Sequence, residues 1–234
     1  MERTALPTSN GELTQTRYPP VMKKSKDSLS ILVSSTVYGI EELLERVYAI
    51  LTSFGYDVWI SHKGTMSVFP DRSNFDNCLD AVANCDLFLG IITTQYGSGK
   101  AVKDEQSITH LELLKAIELN KPRWILAHDQ VVFARTLLNN LGYDTTAKRA
   151  KLSLKKNQVI DDLRVIDMYE AAIRHDIKLH QRKGNWVQKY VSTADAQLFA
   201  SAQFYRYLEV EDFLGKHFAD SDAVRKIVRR KSHT

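Results

Sequence analysis

The sequence predicts an α/β protein built on a doubly wound parallel sheet of flavodoxin-like layout, with a helical C-terminal extension. Four short apolar runs alternate with amphipathic segments between residues 29 and 128, and such alternation is typical of a parallel sheet with helices on both faces. Each run is apolar along most of its length, as expected for strands that are buried on both faces. Of the 234 residues, 44% are hydrophobic, a fraction that excludes a wholly disordered or fibrous chain.

The first strand and the first helix have the clearest patterns. The run LSILVSST at 29–36 is apolar and β-branched and stops at small polar residues, which indicates a buried strand. At 40–54 apolar residues recur at helical spacing opposite acidic ones, which indicates an amphipathic helix. Gly55 suits the left-handed cap that ends such a helix, and residues 56–60 form the second predicted strand.

The third strand follows a second helix. An irregular stretch that contains glycine and proline at 62–73 precedes a short predicted helix at 74–84. Residues 86–93 are the third predicted strand, and a loop rich in glycine and charge follows at 96–105. This order repeats the strand–helix–strand unit of a parallel sheet.

A third helix and a fourth strand complete the predicted sheet. Ser107 is a suitable N-cap for a helix at 108–120, since its hydroxyl can accept a hydrogen bond from a free backbone N–H group. Pro122 ends that helix, and residues 123–127 are the fourth strand. We therefore expect one α/β domain over 29–128.

The rest of the chain is predicted to be mainly helical. Helical patterns at 131–140, 158–175 and 193–218 form an extension over 129–220 that packs on the sheet. Between the last two helices, a stretch that contains GNWVQKYVS is either a strand or an extended loop. Residues 1–28 are polar and turn-rich, which indicates a flexible arm.

The formal net charge of +4 resides in a basic C-terminal tail at 221–234. Five basic residues stand there against one acid, so the rest of the chain is balanced. A second basic stretch at 148–156 lacks interleaved aromatic residues, and solvated charge runs of this kind are common. The sequence therefore does not predict a nucleic acid partner.

Cysteine content and hydropathy indicate the compartment. The two cysteines, Cys78 and Cys85, are too few for a disulfide framework and are expected to be packed in one helix. No apolar run approaches the roughly 18 residues of a membrane-spanning helix, and the N-terminus lacks the apolar stretch of a signal peptide. We expect a cytoplasmic protein that does not enter a membrane.

No metal site is predicted. The His-Asp doublets at 128–129 and 175–176 each provide two potential ligands. A bound metal needs more than two, and neither doublet has further His or Asp ligands at helical spacing.

Polar residues at the end of the first strand form the first candidate site. Ser34, Ser35 and Thr36 follow the apolar run, and Tyr38 precedes the helix. Ligands of doubly wound sheets bind in the crevice outside the carboxyl ends of the strands, and hydroxyls beside a helix N-terminus suit phosphate or ribose. The alternative is that these hydroxyls only cap the helix.

Glu112 is the second candidate. On the predicted helix its carboxylate shares a face with Ile108, Ala116 and Leu119. An apolar surrounding raises the pKa of a carboxyl group, and such groups serve in acid–base or ion-stabilising chemistry. The alternative is a salt bridge from Glu112 to Lys115, three residues on.

Four segments in order resemble one protein family. They are SSTVYG, GYDVWIS, CLDAVANCDLFLGIITTQYGS and SITHLELLKAIELNKPRWIL. The family is an uncharacterised domain often found at the N-terminus of bacterial and animal signalling proteins, with a fold like that of Toll/interleukin-1 receptor (TIR) domains and nucleoside 2-deoxyribosyltransferases. The resemblance covers about residues 29–128, and GNWVQKY also resembles the tail of short stand-alone members.

The resemblance implies roles for particular residues. In the deoxyribosyltransferases and in NAD-cleaving TIR enzymes, a glutamate on the helix before a Lys-Pro strand start lies beside the scissile ribose, and Glu112 in LELLKAIELNKP matches that place. This sequence departs from a two-carboxylate site, because His110 stands two positions before Glu112. The residues implied to line the ligand are those of two strand ends: Ser34, Ser35, Thr36, Tyr38, Tyr96, Gly97 and Ser98.

The resemblance thus implies an N-glycosidic bond enzyme. It would cleave or exchange the base of NAD or a related nucleotide in stress signalling or antiphage defence, with Glu112 attacking the anomeric carbon or stabilising an oxocarbenium-like transition state. NAD or the nucleotide is then substrate or ligand, and no separate cofactor is expected. A homo-oligomer or a partner protein is also implied. The alternative is a non-catalytic module that senses a nucleotide or assembles with a protein.

Overall fold

The structure, a computed structural model, describes residues 28–97, 106–155, 159–182 and 185–205. The predicted N-terminal arm, all but its last residue, and the predicted basic tail lie outside these ranges. Within them, no helix combines the length and the apolar character that crossing a bilayer requires.

Five strands in the described ranges form one sheet. They are β1 (Ser30–Ser35), β2 (Asp57–Trp59), β3 (Leu87–Ile92), β4 (Arg123–His128) and β5 (Asn185–Tyr190). The order across the sheet is β2-β1-β3-β4-β5, and every neighbouring pair is parallel. This confirms the predicted doubly wound class, and the order is that of flavodoxin-like sheets.

Helices cover both faces of this sheet. They are α1 (Glu41–Ser53), α2 (Asn74–Asn84), α3 (Ile108–Glu118), α4 (Asp129–Asn140), α5 (Thr146–Arg149), α6 (Arg164–Ile173) and α7 (Thr193–Phe204). α1 and α7 pack in the apolar cluster on one face, and α2, α3, α4 and α6 pack in the cluster on the other. Because the inner strands are covered on both sides, their sequences are apolar along most of their length.

The stretch that the sequence left as strand or extended loop is strand β5. It pairs with β4 along its whole length, with Trp186 beside Trp124 and Tyr190 beside His128. Tyr190 is buried but Trp186 is exposed, since β5 lies at the edge of the sheet. An edge strand lacks the continuous apolar run that marks the inner strands, and for that reason its pattern was ambiguous.

Helix boundaries after β4 differ in part from the prediction. α4 begins at Asp129 because His128 caps it: the Nδ1 atom of His128 accepts the Gln130 N–H group at 3.3 Å. α6 begins at Arg164, several residues later than predicted, and α5 has no counterpart in the prediction. α7 begins at the predicted residue, and the remainder of the predicted final helix lies beyond the described residues.

The strand order determines where a crevice forms. β1 lies between β2 and β3, and the chain leaves β1 toward the face that carries α1 but leaves β3 toward the face that carries α3. Connections that depart to opposite faces leave an open crevice between the carboxyl ends of the two strands. The candidate site is therefore expected between the loops that follow β1 and β3.

Candidate ligand-binding site

A cavity of about 390 Å³ lies at the carboxyl ends of β1, β2 and β3. Its walls come from residues 35–38 at the end of β1, Ser61 and His62 after β2, Gly97 after β3, and 107–109 at the start of α3. Four segments that are distant in sequence converge there because parallel strands present their carboxyl ends at one edge of the sheet. This is the edge where the sequence analysis expected a ligand.

Hydroxyl groups dominate the polar chemistry of the cavity. They belong to Ser35, Thr36, Tyr38, Ser61, Ser107 and Thr109. His62 adds an imidazole, and none of the described lining residues carries a carboxylate, an ammonium or a guanidinium group. Hydroxyls both donate and accept hydrogen bonds, so this lining suits a neutral polyol. In the described part of the chain no three His, Cys, Asp or Glu side chains are grouped as metal ligands.

Thr36 and Gly97 set the closest approach between the two strand ends. Gly97 has a φ of +90°, and a Cβ atom at this position would lie 2.9 Å from Thr36 Oγ1. Any other L residue would be strained by that φ and crowded by the threonine. Glycine therefore allows the loop after β3 to approach the hydroxyl of Thr36 at the cavity wall.

The hydroxyls after β1 do not cap α1. The N-cap of α1 is Ile40, and no side chain hydrogen bonds to its free backbone N–H groups as a cap. The Ser35 hydroxyl lies 3.0 Å from the carbonyl oxygens of both Thr36 and Ile91 and can donate to either. Tyr38 is largely exposed at the cavity. The capping alternative is therefore wrong for these residues.

Glu112 lies one helical turn from Ile108, which lines the cavity, but is not itself a lining residue. It is only 6% exposed. The Ser34 hydroxyl donates a hydrogen bond to Glu112 Oε2 at 2.5 Å. Lys115, the alternative partner, pairs instead with Glu118. The structure therefore joins two of the predicted site residues, Ser34 and Glu112, in a closed pair behind the cavity.

The carboxyl group of Glu112 has a raised pKa. Burial raises it from 4.5 to about 7, although hydrogen bonds from Ser34 and Cys78 act in the opposite direction. Burial and the neighbouring Glu112 in turn raise the pKa of Cys78 to about 12, so the thiol stays protonated and donates. Glu112 therefore changes its charge near neutral pH, as expected for a carboxyl group in an apolar surrounding.

Tyr96 belongs to a buried polar cluster and is not among the cavity lining. Its hydroxyl accepts the Ser107 N–H group at 3.3 Å and lies 2.8 Å from His110 Nδ1. Burial lowers the pKa of His110 to about 4 and leaves the ring neutral, and the tautomer of the ring sets which of the two groups donates in this contact. The Tyr96 N–H group donates to Asp161 at 2.7 Å, and the Arg164 guanidinium lies 4.8 Å from the ring centroid. Tyr96 thus ties the loop after β3 to α3 and to the start of α6.

The predicted site residues therefore fall into two groups. One group lines the cavity and consists of Ser35, Thr36, Tyr38 and Gly97. The other is buried and consists of Ser34, Tyr96 and Glu112. Ser98 lies outside the described residues.

Sequence reasoning missed the contributions of β2 and of the first turn of α3. Ser61 and His62 line the cavity directly after β2, and Thr109 lines it from α3. The rule that selected Ser34 to Thr36, polar residues at the end of an apolar strand, applies equally to Ser61 and His62 and was a signal that could have found them. Thr109 had no comparable signal, since only the packing of α3 turns it toward the cavity.

Arg149, in the basic stretch that precedes α6, is buried rather than solvated. It is 2% exposed, and its guanidinium group pairs with Asp167 and with Glu170, each at 2.5 Å. A guanidinium group held by two carboxylates is not available to a phosphate. This residue therefore serves the packing of α5 on α6.

Comparison with known proteins gives one family match. Residues 30–198 match a family described as a domain of unknown function, DUF4062. The matched range runs from β1 into α7 and includes all the residues that line the cavity. None of the curated proteins matches the chain.

Proposed function

The chain belongs to the DUF4062 family of domains of unknown function, and from that premise we propose that it binds a nucleotide. The ribose would lie in the cavity at the carboxyl ends of β1, β2 and β3. The domain would act as a nucleotide-sensing module of a signalling system. A fold relationship to TIR domains and to deoxyribosyltransferases is part of this proposal.

The hydroxyl lining of the cavity is the observation that carries the proposal. A ribose presents adjacent hydroxyls, each of which donates and accepts, and Thr36, Ser61 and Thr109 supply matching groups from three different segments. Small-molecule sites typically measure about 300–1,000 Å³. A cavity of about 390 Å³ therefore has room for a nucleoside.

The start of α3 is the favoured side for a phosphate. The first turn of α3 contains no acidic residue, and the N-terminus of a helix offers free N–H groups and a partial positive charge. The first turn of α1 carries Glu41 and Glu42, which repel an anion. Because the described lining contains no basic side chain, a nucleoside or a nucleotide with its phosphate at the rim fits better than a polyphosphate held inside.

Glu112 favours a second candidate function, cleavage of the N-glycosidic bond of NAD or a related nucleotide. Its pKa of about 7 allows a carboxylate at physiological pH, one helical turn from the cavity. That carboxylate would attack the anomeric carbon or stabilise the oxocarbenium-like transition state, while the electron pair of the glycosidic bond leaves with the base, so that the nicotinamide of NAD departs as a neutral molecule. Water would then add its hydroxyl group to the anomeric carbon and release a proton.

Catalysis by Glu112 requires a rearrangement, and for that reason binding is the better supported function. Glu112 is enclosed and bonded to Ser34, so the Ser34–Glu112 hydrogen bond must open before the carboxylate reaches a ligand. An enzyme of this kind would be silent until ligand binding or assembly opened the pair. Stress signalling or antiphage defence, with a homo-oligomer or a partner protein, is the setting that we propose for either function.

Calorimetric titration of the chain with adenosine, AMP and NAD tests the binding proposal. Thr36→Val removes one hydroxyl from the cavity wall at nearly constant volume, and we expect it to weaken nucleoside binding about fivefold, the equivalent of one hydrogen bond. Thr52→Val is the matched control, because Thr52 is an exposed threonine of α1 and does not line the cavity. If the wild-type chain binds none of the three ligands, the proposal is contradicted.

Mass spectrometry of NAD, NADP and deoxynucleosides incubated with the chain separates the two candidates. Base release by the wild-type chain at high protein concentration, but not by Glu112→Gln, would support the enzyme. Binding without release would support the sensing module alone.

A further inference from the structure

The outward face of α4 is exposed but carries large apolar side chains, as residues of a buried interface do. Phe133, Leu137 and Leu141 are 68%, 45% and 62% exposed. Residues four apart lie above one another on a helix, so these three side chains form one apolar stripe. Leu137 is at the centre of the stripe.

α4 is already anchored by its inner face. Val131 is fully buried in the core, and Val132 and Leu138 pack against the same cluster. Arg135 also pairs with Glu170 of α6 at 3.1 Å. The apolar stripe is therefore not what holds α4 on the domain.

Asp129, the first residue of α4, has a side chain that is 35% exposed and lies beside the His128 imidazole. From residue 130 to residue 141 the exposed face of α4 carries no charge. Besides the apolar stripe, the exposed residues between 130 and 141 are Gln130, Thr136 and Asn140, all of them neutral. Charged residues make up 26% of the chain, and solvated helix faces normally carry them. Depletion of charge around exposed aromatic and aliphatic side chains is characteristic of the centre of a protein interface.

We propose that this α4 face, residues 130–141, pairs with the same face of a second copy of the chain across a two-fold axis. In such a contact the same patch of each copy packs against that of the other, so a charged residue near the axis would lie beside the identical charge of the second copy. A neutral face avoids that repulsion, whereas a face that recognises a charged partner carries the complementary charge. Antiparallel pairing also sets the dipoles of the two helices in opposite directions, which is favourable.

The size of the α4 face makes this dimer weak. Six exposed side chains on a helix of 12 residues and the residue after it bury on the order of 500 Å² per copy, below the roughly 800 Å² per partner of a standard stable interface. The fraction of dimer should therefore change with protein concentration, within the range of concentrations that sedimentation experiments cover. It goes beyond nucleotide binding, because the α4 face shares no residue with the cavity lining.

Sedimentation velocity of the full chain over a concentration series tests the proposal. The wild-type chain should shift from monomer toward dimer as concentration rises. Leu137→Glu sets two carboxylates beside the two-fold axis and should raise the dissociation constant at least about tenfold. Leu198→Glu is the matched control, since Leu198 is a 70% exposed leucine of α7, and this variant should dimerise like the wild type.

A charge-swap pair distinguishes self-pairing from damage to the fold. Leu137→Glu and Leu137→Lys should each remain monomeric, whereas an equimolar mixture of the two should dimerise because opposite charges then meet at the axis. Far-UV circular dichroism of the variants checks that both are folded.

Three results would overturn the proposal. The first is a wild-type chain that stays monomeric at every concentration, whether or not it binds a different protein through the α4 face. The second is a wild-type dimer that the Leu137→Glu substitution leaves intact. The third is a mixture of the two charge-swap variants that stays monomeric.

Discussion

Glu112 and His110 stand two residues apart on α3 and are both buried, with pKa values displaced in opposite directions. Burial raises the pKa of Glu112 to about 7 and lowers that of His110 to about 4. A low-polarity surrounding disfavours whichever form of a group is charged. Between these two pKa values both side chains are therefore neutral in the folded domain. As the pH rises above neutral, Glu112 loses its proton and becomes the charged member of the two.

We predict that the stabilising contribution of Glu112 falls as pH rises. Between pH 4.5 and about 7 the folded chain holds a proton on Glu112 that the unfolded chain has released, so the free energy of unfolding decreases across this window. Relative to Glu112→Gln, whose amide does not titrate, the wild-type chain should lose on the order of 3 kcal/mol from the bottom to the top of the window. Urea unfolding of both proteins at several pH values measures the difference.

His110 contributes with the opposite sign, which makes the comparison sharper. The unfolded chain protonates His110 below pH 6.5, whereas the folded chain does so only near pH 4, so this residue adds stability as pH rises between those values. The wild-type chain should therefore show a shallow pH dependence in that range, and the Gln variant a rise. A difference between the two proteins that stayed constant with pH would contradict the raised pKa of Glu112.

At the scale of elements, α3 and the loops that follow β1 and β3 build the site together. α3 presents Ile108 and Thr109 to the cavity from its first turn and Glu112 to Ser34 from its second. The two loops meet where Thr36 approaches Gly97. The shape of the cavity therefore depends on a glycine that carries no chemistry of its own.

We predict that Gly97→Ala destabilises the chain more than Gly55→Ala does. Both glycines have φ values near +90°, but a Cβ atom at Gly97 would lie 2.9 Å from Thr36 Oγ1 whereas one at Gly55 has nothing within 4 Å. In the Gly55 variant only backbone strain lowers the free energy of unfolding, by about 1 kcal/mol. In the Gly97 variant the free energy of unfolding should fall by about 2 kcal/mol or more, because crowding adds to the strain. Urea unfolding measures both.

Thr36→Ala tests the cause of that difference. Combined with Gly97→Ala, it removes the crowding atom and should bring the loss close to that of Gly55→Ala. Equal losses for the two single glycine variants would contradict the close approach of the loops.

At the scale of the whole molecule, the segment after β4 completes both the sheet and the core. Tyr190 of β5 and Phe199 and Phe204 of α7 are buried in the same cluster as Trp124 of β4. The rings of Trp124 and Phe204 lie 5.0 Å apart. The predicted boundary at residue 128 therefore falls between two strands that are hydrogen-bonded neighbours.

We predict that a fragment ending at residue 128 does not fold cooperatively. It would lose the partner strand of β4 and expose the apolar face that α7 covers, and each large buried side chain lost from a core costs about 3–5 kcal/mol. Near-UV circular dichroism and urea unfolding of the fragment and of the full chain make the comparison. A cooperative transition in the fragment would show that residues 29–128 are sufficient for the fold.

Parts of the fold and of the site could be read from local patterns. The first four strands, α1, α2 and α3 have apolar patterns that are properties of a few neighbouring residues, and Ser107 caps α3 as its type predicts. Ser35 and Thr36 were found because polar residues at the end of a buried strand reach the ligand edge of a parallel sheet. The local pattern of edge strand β5 fits both a strand and an extended loop, and the local pattern of the short helix α5 does not predict a helix.

The sequence by itself determined the class of the protein, its inner strands and the edge of the sheet at which a ligand fits, because these follow from periodicity and strand direction. Only the tertiary structure decided that Ser34 turns inward to Glu112 while Ser35 and Thr36 reach the cavity, and that β5 joins the sheet. The physical reason is that the burial and the pKa of a side chain depend on which distant elements pack around it. That packing is settled by the fold as a whole and not by the residues next to it in the chain.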